Sequence, residues 1–217
     1  LYAFGEVNFA YHGANRLGAN ALLSCLFDGL FCGLSVANYV RDCEPGKNPA
    51  AAMPAGAFDN AVAREKAKAD RLLSTVGPTG VDAQTNPYMI HKELGDEMTA
   101  ACTVVKSGPR LEQCLRKLGE LRERFSRVRL GDAAAWSNQT LSYTRAVGDM
   151  LLMAEVIAKG SLLRKESRGS HYRTDFPERN DEQFMKSTVS RFQPGQGAGA
   201  EQHAITFEPI QAPLIKP

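Results

Sequence analysis

The residues with the form of a site lie in one short stretch, 5–22. There Gly5-Glu6 is followed by YHGANRLGAN at 11–20 and then by an apolar run. Gly13 and Gly18, together with Asn15 and Asn20, leave the loop backbone open to close approach by a bound group. A helix beginning near Asn20 would direct the N–H groups of Ala21 and Leu22 outward from its first turn. Such a terminus favours negative charge by about 0.3–1 kcal/mol at exposed sites. Arg16, in the same loop, carries a planar fork that fits a carboxylate. A structural ion pair inside the loop is the plainer role for that side chain, and both readings stand. Glu6 can accept hydrogen bonds from hydroxyl groups. The chemistry this set supports is the holding of negative charge, on a carboxylate or on an electron-accepting group.

The elements that must position these residues follow from hydrophobic spacing. Residues 1–7 form a short apolar run that predicts a buried strand, so the unit reads strand, glycine-rich loop, helix. Residues 19–40 are long and apolar enough to raise a membrane span. Asp28 sits near the middle, where a charge costs roughly 2.5–3.5 kcal/mol on insertion. Ser, Gly and Asn are frequent in the run and a polar loop precedes it, so we expect a helix buried in a soluble α/β domain. Residues 41–56, with Pro45, Gly46, Pro49, Pro54 and Gly56, read as a linker.

Beyond the linker the period becomes helical. Phe58, Val62, Ala69, Leu72 and Val76 mark one stripe, and Ile90, Leu94, Met98, Ala101 and Val105 a second. A third runs through Leu111, Cys114, Leu115, Leu118, Leu121, Phe125 and Val128, and a fourth from Leu141 through Met150 to Ala158. Gly77-Pro78, Ser107-Gly108-Pro109 and Gly131-Asp132 punctuate them. Segments 185–192 and 203–210 alternate as strands around a turn at 195–199, whose GQGAGA precedes no apolar helix and so lacks a dinucleotide-binding context. The expected fold is mainly α: the last strand–loop–helix of an FAD-binding α/β domain, a three- to four-helix bundle and a small β-hairpin tail. The expected limits are 1–44 for the first part, 45–57 for the linker, 58–167 for the bundle and 168–217 for the tail.

Composition narrows the function classes. A formal charge of +2 over 217 residues gives no ground for nucleic acid as partner. Arg116, Lys117, Arg122, Arg124 and Arg127 are interspersed with Glu112, Glu120 and Glu123, which predicts a solvated helix face. The 5 cysteines are scattered without CxxC spacing, so neither a metal site nor a disulfide framework is expected.

Two motifs carry a resemblance. FGEV–NFAYHGANRLGANALLSC is similar to the last flavin-contacting segment of the succinate dehydrogenase/fumarate reductase flavoprotein family, and ESRGSHYRTDFPERND resembles that family's ESRG signature. The resemblance covers nearly the whole chain and implies a C-terminal portion of that subunit, consistent with a start at Leu1 inside an apolar run. It implies that Glu6, Ala21 and Leu22 contact FAD and that Arg16 binds a carboxylate of succinate or fumarate. His12, Asn15 and Asn20 support the loop. Ala21 stands where the family usually has Ser, so a backbone contact would survive and a hydroxyl bond would be lost. No catalytic residue and no metal ligand is expected within this chain.

The implied parent interconverts succinate and fumarate through FAD and passes electrons to an iron–sulfur subunit. A membrane anchor subunit would hold it as a peripheral protein at the cytoplasmic side of the inner membrane. The competing readings are a fragment of L-aspartate oxidase, whose loop usually reads NRMASN, and a non-catalytic helical interaction module. Arg168, His171, Arg173, Asp175 and Arg179 are expected to form an ion-pair lattice pinning the tail against the flavin domain rather than a catalytic cluster.

Overall fold

The computed structural model describes residues 2–8, 12–43, 53–75, 77, 82, 84–134, 136–193 and 203–210. The expected turn at 195–199 and most of the linker lie outside these. The chain divides into two units, residues 1–66 and 67–217.

In the first unit a 3-10 turn, Gly5–Val7, precedes α1, Asn20–Asp42. The strand expected over 1–7 is therefore replaced by a turn. A strand needs a neighbour for its backbone groups, and none is present among the described residues of this unit. Gly5 explains the turn: its φ is +68°, and its N–H donates to Asp28 Oδ2 at 2.7 Å. Asp28 is fully buried, so the charge that interrupts the apolar run serves as an anchor. The expectation of a buried helix is not met within this chain. Leu22, Leu26, Phe27, Leu30, Phe31 and Leu34 are all exposed along α1, because the turn and loop cover only the Ser24–Asp28 side. By length and composition α1 could cross a membrane.

The second unit is a bundle. The end of α2 (Ala57–Leu73) joins α3 (Pro87–Cys102), α4 (Gly108–Ser126) and α5 (Gln139–Leu163). The starts of α3 and α5 have a sequence cause. Asn86 Oδ1 accepts from Tyr88 N at 2.9 Å with Pro87 in the first turn, and Asn138 Oδ1 accepts from Leu141 N at 2.8 Å. Ile90, Leu94, Cys114, Leu118, Leu121, Val147, Leu151 and Ala158 bury one common core, so the second, third and fourth stripes face one another. Gly148 lets Phe125 close the α4–α5 seam: a Cβ there would lie 2.9 Å from the ring.

Arg116 and Arg127 are exposed with Glu112, Glu120 and Glu123, as expected of a solvated face, while Arg122 and Arg124 depart from expectation. Arg124 grips Glu93 of α3 through both Nη atoms at 2.7 and 2.9 Å, and Arg122 reaches Glu155 of α5 at 2.7 Å. These are cross-helix clamps over the rim of the core rather than a solvated face. Spacing along one helix cannot show which carboxylate a neighbouring helix will offer.

A two-residue strand β1 (Val105–Lys106) pairs in parallel with β2 (Tyr172–Arg173). A short helix α6 (Asp181–Phe184) then leads into β3 (Lys186–Phe192), which pairs antiparallel with β4 (His203–Pro209) from Lys186↔Pro209 to Phe192↔His203. The expected hairpin is thus formed.

Candidate functional site

The stretch 5–22 is assembled from the buried outward. Gly5 passes so close to α1 that an added Cβ would meet the Cys25 sulfur at 2.4 Å. That contact and the Asp28 bond fix where Glu6 emerges. Glu6 Oε1 lies 3.0 Å from Arg16 Nε, and both side chains are largely exposed. The two candidate ligand-binding residues are therefore brought together as a pair. An exposed pair of this kind contributes little to stability, about 0.2–1 kcal/mol, so either partner can exchange it for a ligand group.

The loop returns to the helix through Ala19, which is held at φ 65°, in the left-handed region. For a residue with a Cβ this conformation costs roughly 1–2 kcal/mol. No side chain caps the first turn of α1. The N–H groups of Ala21 and Leu22 thus belong to an uncapped helix terminus, beside a Leu22 side chain that is 73% exposed. The space where side chains would stand at Gly13 and Gly18 is empty to 4 Å. His12 Nε2 lies 3.5 Å from Ser24 Oγ, which itself donates to the Ala21 carbonyl at 2.9 Å, so His12 braces the loop against α1. Asn20 N donates to the Leu17 carbonyl at 3.3 Å, while Asn15 is exposed in the loop.

Polar N–H groups at an open helix end, flanked by an exposed apolar side chain, suit one edge of a flat conjugated ring that gains negative charge. The residues present fit a flavin on this ground. Asp28 is the member of the site that the sequence reading did not assign. Its signal was available, as a charge in an apolar helix must find a partner.

The second motif is a lattice. Glu166 is fully buried and accepts from Arg164 Nη1 at 2.6 Å, Arg168 Nε at 2.8 Å and Asn180 N at 2.9 Å. Burial pushes its carboxyl up, but these donors outweigh burial and hold it below the usual range. Arg173 is 1% exposed and donates to the Ser161 and Leu162 carbonyls at 2.7 and 3.0 Å, closing the C-terminus of α5. Its other edge binds Asp175, whose Oδ2 accepts from Gly108 N at 3.0 Å and so caps α4. Bonding to Arg173 holds the Asp175 carboxyl down to about 2. His171 Nε2 lies 3.1 Å from the Arg164 carbonyl, and burial pushes its pKa down. Among the described residues these lattice partners belong to the bundle and tail.

The same architecture recurs in proteins of known chemistry. The succinate dehydrogenase flavoprotein subunit of Bacillus subtilis (strain 168) is 40% identical over 191 residues, covering 88% of this chain and 31% of that protein. The fumarate reductase flavoprotein subunit of Escherichia coli (strain K12) is 34% identical over 193 residues, covering 88% and 30%. A point-mutant E. coli quinol fumarate reductase superposes with a TM-score of 0.80 at 29% identity, over 100% of this chain and 34% of that one. Mycobacterium smegmatis Sdh1 in complex with UQ1 gives 0.77 at 28%, over 99% and 33%. The chain spans about a third of the length of these relatives.

Bundle, clamped tail and glycine-loop helix terminus define the C-terminal part of a flavoprotein subunit. The chain belongs to the fumarate reductase flavoprotein C-terminal family, which it matches over residues 91–217.

Proposed function

We propose that this chain is the C-terminal part of a succinate dehydrogenase or fumarate reductase flavoprotein, in which residues 5–22 form one wall of the active site. The observation that carries the reading is the exposed Glu6–Arg16 pair set beside the uncapped terminus of α1. Arg16 exchanges Glu6 for one carboxylate of a four-carbon dicarboxylate and orients its central C–C bond. The Ala21 and Leu22 amides hold the electron-accepting carbonyl edge of the ring, and Glu6 accepts from a sugar-type hydroxyl. Bound FAD supplies the hydride-accepting and hydride-donating chemistry. Residues 1–44 close the flavin domain, 45–57 link it to the helical domain at 58–167, and the tail follows from 168. The exposed face of α1 packs within the remainder of that domain.

Membership in this family also supports an iron–sulfur subunit as electron partner and peripheral attachment, at the cytoplasmic face, through a membrane anchor subunit. The test is a comparison of the intact flavoprotein with Arg16→Ala and Arg16→Lys. Succinate-dependent dye reduction should fall about 100-fold in kcat/KM for Arg16→Ala, as loss of a charge-paired carboxylate contact costs about 2–5 kcal/mol. Turnover of L-aspartate in preference to succinate, or an Arg16→Ala enzyme with unchanged kcat/KM, would overturn the assignment.

A further inference from the structure

Beside the contact of Phe125 with Gly148, the seam between α4 and α5 leaves a cavity that the site at 5–22 does not use. Its volume is about 240 Å³, and its walls include Arg71, Arg122, Phe125, Gly148, Leu151 and Leu152. Helical spacing brings these residues together. Arg122 and Phe125 share one face of α4, and Gly148, Leu151 and Leu152 share one face of α5. Leu72, buried in the core, fixes the end of α2, so that the neighbouring Arg71 completes the wall.

The floor is apolar and the rim is cationic. Leu151 is buried, while Phe125 and Leu152 are partly so. Arg122 gives Nη1 to Glu155 Oε2 at 2.7 Å, and Lys159 holds the other oxygen of that carboxylate at 2.9 Å. One carboxylate thus serves two cations, and positive charge is left over on Arg122. Arg71 is exposed and makes no ion pair among the described residues. Two guanidinium groups with charge to spare, over an apolar floor, match a ligand anionic at one end and apolar at the other. The volume sets its size. At about 30 Å³ for each water-sized group the cavity takes roughly eight of them, fewer than a drug-sized ligand carries. An inorganic anion would leave the apolar floor uncovered.

We propose that this cavity binds a small monocarboxylate with an apolar chain. Its carboxylate lies between Arg71 and the edge of Arg122 that Glu155 does not occupy, and its chain lies against Phe125, Leu151 and Leu152. Glu155 holds Arg122 in place before the ligand arrives, which lowers the cost of ordering that side chain.

The test titrates octanoate into the intact flavoprotein by calorimetry. Saturable binding is expected, weakened about 10-fold in Arg71→Gln, as for the loss of one charge-assisted bond at an exposed position. Leu152→Phe fills the cavity and should abolish binding at an unchanged thermal midpoint; should that variant fail to fold, Arg71→Gln decides. Octanol, which has the chain without the charge, should bind about 10-fold more weakly, and inorganic phosphate should not compete. Arg16→Ala should bind octanoate as the parent does, whatever becomes of succinate turnover. Absence of saturable binding, equal affinity in Arg71→Gln or for octanol, or displacement by phosphate would overturn the site. Loss of binding in Arg16→Ala would place octanoate on residues 5–22 and overturn it equally.

Discussion

A methyl group at Gly5 would have to occupy the space of the Cys25 sulfur, 2.4 Å away, on a backbone whose φ of +68° disfavours any side chain. Gly5→Ala should therefore either lose the Asp28 bond or push the turn off α1, a cost of about 1–3 kcal/mol from overpacking. Because Glu6 leaves from that turn, the intact protein carrying Gly5→Ala should retain less flavin. Absorbance at the flavin band against total protein reads this directly, and an unchanged ratio would separate Gly5 from the site. The aligned motif drew the sequence reading to Glu6 and Arg16, and it assigned each a separate ligand. An ion pair was the plainer role expected of Arg16, but Glu6 was not named as its partner at 3.0 Å, since a contact across a loop depends on how the loop folds back. Asp28 was noted only as an obstacle to membrane insertion, yet its buried carboxylate holds the turn.

Among elements, the tail is attached to the bundle by charge at two helix ends. Arg173 closes α5 and Asp175 opens α4, so one ion pair satisfies backbone groups that neither helix satisfies alone. Arg173→Ala would leave Asp175 and the α5 carbonyls without their partner. Arg173 is buried but Asp175 is partly exposed, so removing this hydrogen-bonded side chain costs about 1–3 kcal/mol and the urea midpoint of the bundle should fall. A change confined to turnover, with the midpoint preserved, would show a catalytic rather than a structural part for Arg173. The same pairs set an acid limit. Arg124 holds Glu93 down to about 2, and Arg173 does the same for Asp175. Depressed carboxyl pKa values stabilise the fold above the ordinary carboxylate range and lose that contribution as pH falls toward about 2. These pairs should therefore lower the urea midpoint from about pH 5 down to about pH 2. An earlier and separate loss begins near the ordinary histidine range, because burial keeps His171 neutral while the unfolded chain takes up its proton. Equal midpoints at pH 5 and pH 2.5 would dismiss these pairs as contributors.

For the whole molecule, residues 5–22 supply donors and a cation on one side only, and the apolar flank of α1 stands exposed. The isolated chain should consequently show no bound flavin absorbance and no succinate oxidation, whereas the intact parent should show both; turnover by the isolated chain would place a complete site here. The sequence by itself determined the helices, the hairpin and the family. Hydrophobic spacing, Asn caps and proline positions act within a few residues, and HGANRLG and ESRG are contiguous words. It did not determine the 3-10 turn in place of a strand, because pairing depends on a neighbour that local pattern does not name. Nor could it place Arg122 and Arg124 on Glu155 and Glu93, or Asp175 on Gly108. Each of those joins residues distant along the chain, and only the packing of one element on another decides which group stands opposite which.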